Sequence, residues 1–116
     1  MSETLIDLEA WEVMKSMTDS AFLIDLIDVY LNDSPELIKQ MRAGLSAGDI
    51  ELVRRASHSL KSNSASFGAN QLADAARKLE MAAKGGTMEG SGTMLEAIEV
   101  EYARLLPRLM ELKNEC

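Results

Sequence analysis

The chain has 116 residues, enough for one domain with a core of its own. Apolar residues make up 47% and aromatics only 4%, a mix rich in Leu, Met and Ala that favours packed helices over disorder or a β-sandwich. A net charge of −7 and a pI of about 4.7 oppose binding to nucleic acid or to an anionic membrane.

The single Cys116 is the last residue, so neither an internal disulfide nor a cysteine metal cluster can form. A reducing, cytoplasmic setting is expected. Met1-Ser2-Glu3-Thr4 lacks the basic and apolar segments of a signal peptide. No apolar run approaches the ~20 residues of a membrane span.

In chain order, Asp7 is placed to cap a short helix, Leu8 to Ser16, with Leu8, Trp11 and Met14 on one side. Too short to stand alone, it is expected to lie as a flap over a bundle end. Thr18-Asp19 caps a long helix from Ser20 to Leu45, whose stripe is Leu23, Ile27, Tyr30, Ser34, Leu37 or Ile38, and Met41. The pattern keeps phase across Pro35, which predicts a kink rather than a break. A second stripe, Phe22, Leu26 and Val29, is expected to be mostly core, with any exposed part of it a candidate docking surface. The methionines read mainly as core filler.

Gly48 ends that helix and Asp49 caps the next, Ile50 to Phe67. At about 100° per residue, Ile50, Val53, Ala56, Ser57, Ser64 and Phe67 fall within about 80° of Leu60 and define the buried face. His58, the only histidine, lands about 160° away. Beside it lie Arg55, Ser62 and Ala65, with Arg54 and Lys61 on one flank. Gly68 fits a left-handed turn, and Asn70 is expected to cap a fourth helix, Gln71 to Lys84. Its stripe is Leu72, Ala75, Ala76, Leu79, Ala82 and Ala83, with Glu80 on the edge, able to reach the neighbouring helix. Gly85 to Gly92 reads as a connector. It lacks the Lys-Ser/Thr ending of a phosphate-binding loop. Thr93-Met94-Leu95-Glu96 matches a capping box, and the last helix follows to about Lys113 with the stripe Leu95, Ile98, Tyr102, Leu105, Leu109 and Leu112. Pro107 is expected to bend it. The expected fold is all-α: residues 1–116 form one domain, an antiparallel up-down-up-down four-helix bundle with a short N-terminal helix.

A lone histidine is usually a solvated surface residue, so its setting decides. Only imidazole titrates near neutrality unaided. If a carboxylate holds one ring N–H, the other nitrogen becomes a positioned nucleophile. Lys61, one turn on, can neutralise part of a phosphoryl group, and the small Ser62 and Ala65 leave the approach open. The site is expected to be convex, without a pocket, and suited to a partner protein that brings the rest of an active site. Arg77, one turn before Glu80, is a further residue that can face it.

The run Ala56-Ser57-His58-Ser59-Leu60-Lys61, continuing through Ser64-Ala65 to Phe67-Gly68-Ala69, Leu72 and Leu79-Glu80, closely resembles histidine-containing phosphotransfer (HPt) domains of bacterial phosphorelays. The preceding helix, with Phe22-Leu23, Tyr30-Leu31, Ser34-Pro35 and Leu37, is similar to that family too. The resemblance spans about residues 5 to 113. It implies that His58 is the phosphoacceptor through Nε2, that Lys61 assists the phosphoryl group, and that Glu80 holds the imidazole Nδ1. The family usually has Gly after the lysine, where this chain has Ser62; Ser62, Ala65, Arg55 and Arg54 are the expected docking residues. The resemblance further implies a phosphocarrier rather than a self-sufficient enzyme, with no cofactor of its own and Mg²⁺ and a second lysine supplied by the partner. The implied partners are the receiver domain of a hybrid sensor kinase and that of a response regulator, met by a monomeric shuttle. The alternative is a non-phosphorylated helical adaptor or antagonist that binds a kinase or receiver domain. A metal or redox bundle needs Glu-x-x-His pairs; position 55 is Arg and no second histidine exists, so it is set aside.

Overall fold

A computed structural model describes residues 6–116; the reading of Met1 to Thr4 lies outside the described residues. The chain folds into five helices: α1 (Leu8–Ser16), α2 (Ser20–Ala47), α3 (Ile50–Ser66), α4 (Asn70–Lys84) and α5 (Ser91–Asn114). No strand occurs among the described residues, and no helix there is long and apolar enough to cross a membrane. Helix α3 packs on α2 and α4, and α5 packs on α2 and α4, so the four long helices close a ring around one core.

The core follows the 3.6-residue period. Helix α2 contributes Leu23, Ile27, Tyr30, Ile38 and Met41, which settles the Leu37-or-Ile38 choice in favour of Ile38. Helix α3 contributes Val53, Ala56 and Leu60, and α5 contributes Leu95, Ile98, Tyr102, Leu105, Leu109 and Leu112. Gly44 is what brings α2 and α3 together: a Cβ there would lie 2.7 Å from Val53 Cγ2. Both prolines sit inside continuous helices on exposed faces, so neither divides its helix. The Tyr30 hydroxyl and Ser64 Oγ share a buried hydrogen bond of 2.7 Å across α2 and α3.

Helix α1 is capped as expected, with Asp7 Oδ1 accepting from the Glu9 and Ala10 amides at 3.0 and 3.4 Å. It sits on the α3–α4 turn, where the Asp7 amide donates to the Gly68 carbonyl at 2.7 Å. Gly68 has φ +74°, and a Cβ there would also meet the Asp7 carbonyl at 2.9 Å, so both backbone shape and space require glycine.

Several local expectations are corrected. Leu8 is exposed, and only Trp11 of the α1 stripe is fully buried. Phe22 and Val29 are 53% and 56% exposed, with Phe22 lining an open groove beside Val13, Met14 and Met17. Met17, Met81 and Met110 are exposed rather than core. Helix α3 ends at Ser66, with Phe67 already at the cap. Asn70 is the first residue of α4 rather than its cap; buried Ala69 holds the cap position, and no side chain bonds there. Helix α5 starts at Ser91, so Gly92 and Thr93 are inside it and the capping box does not form. Left-handed Gly90 (φ 76°) makes that boundary instead.

Candidate functional site

Helix α3 presents its functional side chains because its other face is committed to the core. Asp49 Oδ1 caps the start by accepting from the Leu52 amide at 3.1 Å. Ser57, one residue before His58, is buried, and its hydroxyl bonds back to the Val53 carbonyl at 2.6 Å. A polar residue therefore sits inward without an unmet hydrogen bond. The ring of His58 points outward, with its side chain 53% exposed.

The turn through Gly68 returns the chain along α3, so His58 and Glu80 meet although 22 residues apart in sequence. Glu80 Oε2 lies 2.7 Å from His58 Nδ1, and Glu80 Oε1 lies 2.7 Å from Lys61 Nζ. The Glu80 side chain is only 4% exposed, and Lys61 is 30% exposed. Burial pushes the Glu80 carboxyl up, but the hydrogen bonds from Lys61 and His58 outweigh it and hold the group below its ordinary value of 4.5. Glu80 is thus a carboxylate at neutral pH, and a carboxylate only accepts hydrogen bonds. In the neutral ring the proton must therefore sit on Nδ1, which leaves the lone pair on Nε2 facing out.

The structure brings Lys61 and Glu80 together with His58, but it seats the Lys61 ammonium on the carboxylate rather than on the open side of the ring. Ser62 and Ala65 are exposed beside His58. Arg54 is tied to Glu51 by two hydrogen bonds of 2.7 and 2.5 Å, whereas Arg55 extends into solvent 3.9 Å from the same carboxylate. Arg77 pairs with Asp74 at 2.7 Å and does not join the His58 cluster. Among the described residues, no group of three or more His, Cys, Asp or Glu side chains is placed to hold a metal ion.

One expectation about shape is wrong. The surface beside His58 is not uniformly convex: a polar depression of about 410 Å³ opens along the α2–α3 seam, lined by Gln40, Arg54, Arg55, His58 and Ser59 among others. Gln40 and Ser59 carried no sequence signal, since each reads as an ordinary solvated position on its own helix. Only the juxtaposition of α2 and α3 gives them a place.

The family model for the Hpt domain matches residues 25–111, most of the chain and the whole of the His58–Lys61–Glu80 cluster. The chain belongs to the Hpt domain family. Comparison with curated proteins gives no match. Among solved structures, the chain is similar to the histidine-containing phosphotransfer protein B (HptB) from Pseudomonas aeruginosa PAO1, with 25% identity over 99% of each chain and a TM-score of 0.92. The Hpt match begins at Asp25, so α1 and the start of α2 lie outside it, while the overlay with HptB covers them.

Proposed function

We propose that this protein is a phosphorelay phosphocarrier in which His58 takes a phosphoryl group from a receiver-domain aspartate of a hybrid sensor kinase and passes it to the receiver aspartate of a response regulator. The observation that carries the reading is the Glu80 carboxylate on Nδ1, which fixes the tautomer and leaves Nε2 open. Membership of the Hpt domain family and the likeness to HptB support it.

The step is an in-line displacement. The lone pair of Nε2 attacks phosphorus, the N–P bond forms, and the bond from phosphorus to the aspartyl oxygen breaks as that carboxylate leaves. The ring keeps its Nδ1 proton, so it becomes positively charged as the N–P bond forms. Glu80 lies where that charge develops and stabilises it without having to move. In the reverse direction the same ring leaves as neutral imidazole. Lys61, one turn away, can exchange its ammonium from Glu80 to a phosphoryl oxygen. Mg²⁺ and a further lysine come from the receiver, and positioning and charge compensation do most of the work. Ser62 and Ala65 keep the approach low enough for a second protein, with Arg54 and Arg55 as docking residues at the edge. The site works on a partner protein rather than as a self-sufficient enzyme, in a soluble cytoplasmic monomer. Short connections between helices that pack in a closed ring support an up-down-up-down bundle within a single domain.

The test is incubation with a purified receiver domain, charged with labelled acetyl phosphate and Mg²⁺. Wild type should gain acid-labile, alkali-stable phosphate, and His58→Gln should gain none. Stable complex formation with no transfer would instead assign the adaptor role.

A further inference from the structure

The seam between α2 and α3 carries a charge pattern that the transfer chemistry does not use. The depression beside His58 is basic at one end, where Arg54 and Arg55 line it; Glu51 pairs with Arg54, so the end carries one net positive charge, with Arg55 the more exposed of the two. A second depression, of about 320 Å³, continues along the same seam and is lined by Asp33, Glu36 and Asn63. The two share Leu37, Gln40 and Ser59, so they adjoin as one track of mixed polarity with opposite charge at its ends. Arg55 and Asn63 are eight residues apart on α3, which sets the ends about 12 Å from each other at 1.5 Å per residue. His58 and Ser59 lie between them. Asp33, Glu36 and Arg55 are exposed.

Resting on the phosphocarrier reading, we infer that this track selects and orients the receiver domain by a complementary charge pair. The partner would place an acidic side chain against Arg54 and Arg55 and a basic side chain against Asp33 and Glu36, on either side of the reacting aspartate. A bipolar contact fixes direction as well as proximity: a receiver rotated end for end sets like charges against each other. The competing explanation is unspecific attraction by the local field. Residues 50–84 hold six of the twelve cations and three of the nineteen anions, net +3, while the remaining residues hold six cations and sixteen anions, net −10. An acidic partner could be drawn to α3 and α4 on that basis alone.

Charge reversals separate the two. Arg55→Glu takes the net charge from −7 to −9, and Glu36→Lys takes it from −7 to −5. The probe is whichever acetyl-phosphate-charged receiver domain gives phosphate to wild type fastest, with the second-order transfer rate measured at low and high salt. Both reversals should slow transfer at low salt, by about tenfold each, and both differences should shrink as salt screens the contact. Arg55→Ala, which sets no like charge beside Glu51, should slow it by a smaller factor. Thermal melts monitor folding. A Glu36→Lys rate equal to or above wild type overturns the inference in favour of unspecific attraction. An Arg55→Glu rate equal to wild type overturns it outright, with the carrier reading intact. If wild type takes phosphate from no receiver, the carrier reading falls and this inference with it.

Discussion

Replacing Glu80 by alanine separates what this residue does for the fold from what it does for the reaction. The carboxylate accepts two charge-assisted hydrogen bonds of 2.7 Å, from His58 and Lys61. Bonds of that type contribute about 1.5–3 kcal/mol each when fully sheltered. Here both donors reach water, His58 at 53% and Lys61 at 30% exposure, so solvent replaces much of what is lost. Removing the carboxylate also removes the cost of having buried it. The net loss should be about 1–2 kcal/mol, within the ~5–15 kcal/mol stability of a typical domain, so the helices survive. The reaction should suffer more. Without Glu80 the ring is free to rotate and to place its proton on either nitrogen, and misplacement of a reacting atom by about 1 Å costs roughly 10²-fold in rate. Glu80→Gln keeps a carbonyl oxygen for the Nδ1 proton but loses the charge and the second acceptor that Lys61 uses, so with the ring still oriented it should stay within about tenfold of wild type. The assays are rapid-quench transfer from a charged receiver, a circular-dichroism melt, and ¹⁵N shifts of the His58 ring to identify the tautomer. Wild-type transfer by Glu80→Ala, or equal rates for the Ala and Gln variants, would refute the orienting role.

Four further outcomes follow from the same geometry. The Glu80 carboxyl titrates below 4.5 in the folded protein, so the unfolded chain takes up that proton first as pH falls. Its stabilising contribution is present above 4.5 and is lost as pH drops through the folded value; urea titrations should find the gap between wild type and Glu80→Gln wider at pH 7 than at pH 3. Burial of Tyr30 raises its phenol from 10.0 to about 12 despite the hydrogen bond with Ser64, so stability should decline as pH rises across that interval, and less steeply in Tyr30→Phe. At neutral pH the same variant strands the buried Ser64 hydroxyl and should cost about 1–2 kcal/mol in a denaturant melt, with transfer little changed. Gly68→Ala forces φ +74° on a residue with a Cβ and should cost at least ~1–2 kcal/mol, with hydrogen exchange rising first in α1.

The site was more legible in the sequence than its surroundings. Counting angles along α3 separates Val53, Ala56, Ser57, Leu60 and Ser64 from His58, and those five are buried while His58 is not. That works because one helix face is fully committed to the core, so periodicity alone decides the other. Glu80 is harder, since a glutamate beside Leu79 can also pair with Arg77 or Lys84 on its own helix. Its burial depends on the α3–α4 turn at Gly68, which is tertiary information. The boundary of α5 misled for a local reason. Thr93 and Glu96 have capping-box spacing, but left-handed Gly90 ends the loop sooner, and Ser91 is buried as the helix begins. Phe22 and Val29 continue a helical apolar pattern, yet each is left about half exposed. An apolar stripe gives the direction of a face without saying whether an element lies against it.

The carrier account stands or falls on the atom that holds the phosphate. Wild-type protein, uniformly ¹⁵N-labelled and charged by a receiver domain, can be examined by ³¹P–¹⁵N NMR at alkaline pH, where phosphohistidine persists. The account predicts a single phosphoramidate coupled to the Nε2 nitrogen of His58. Phosphate on Nδ1, or on any side chain other than His58, would contradict it.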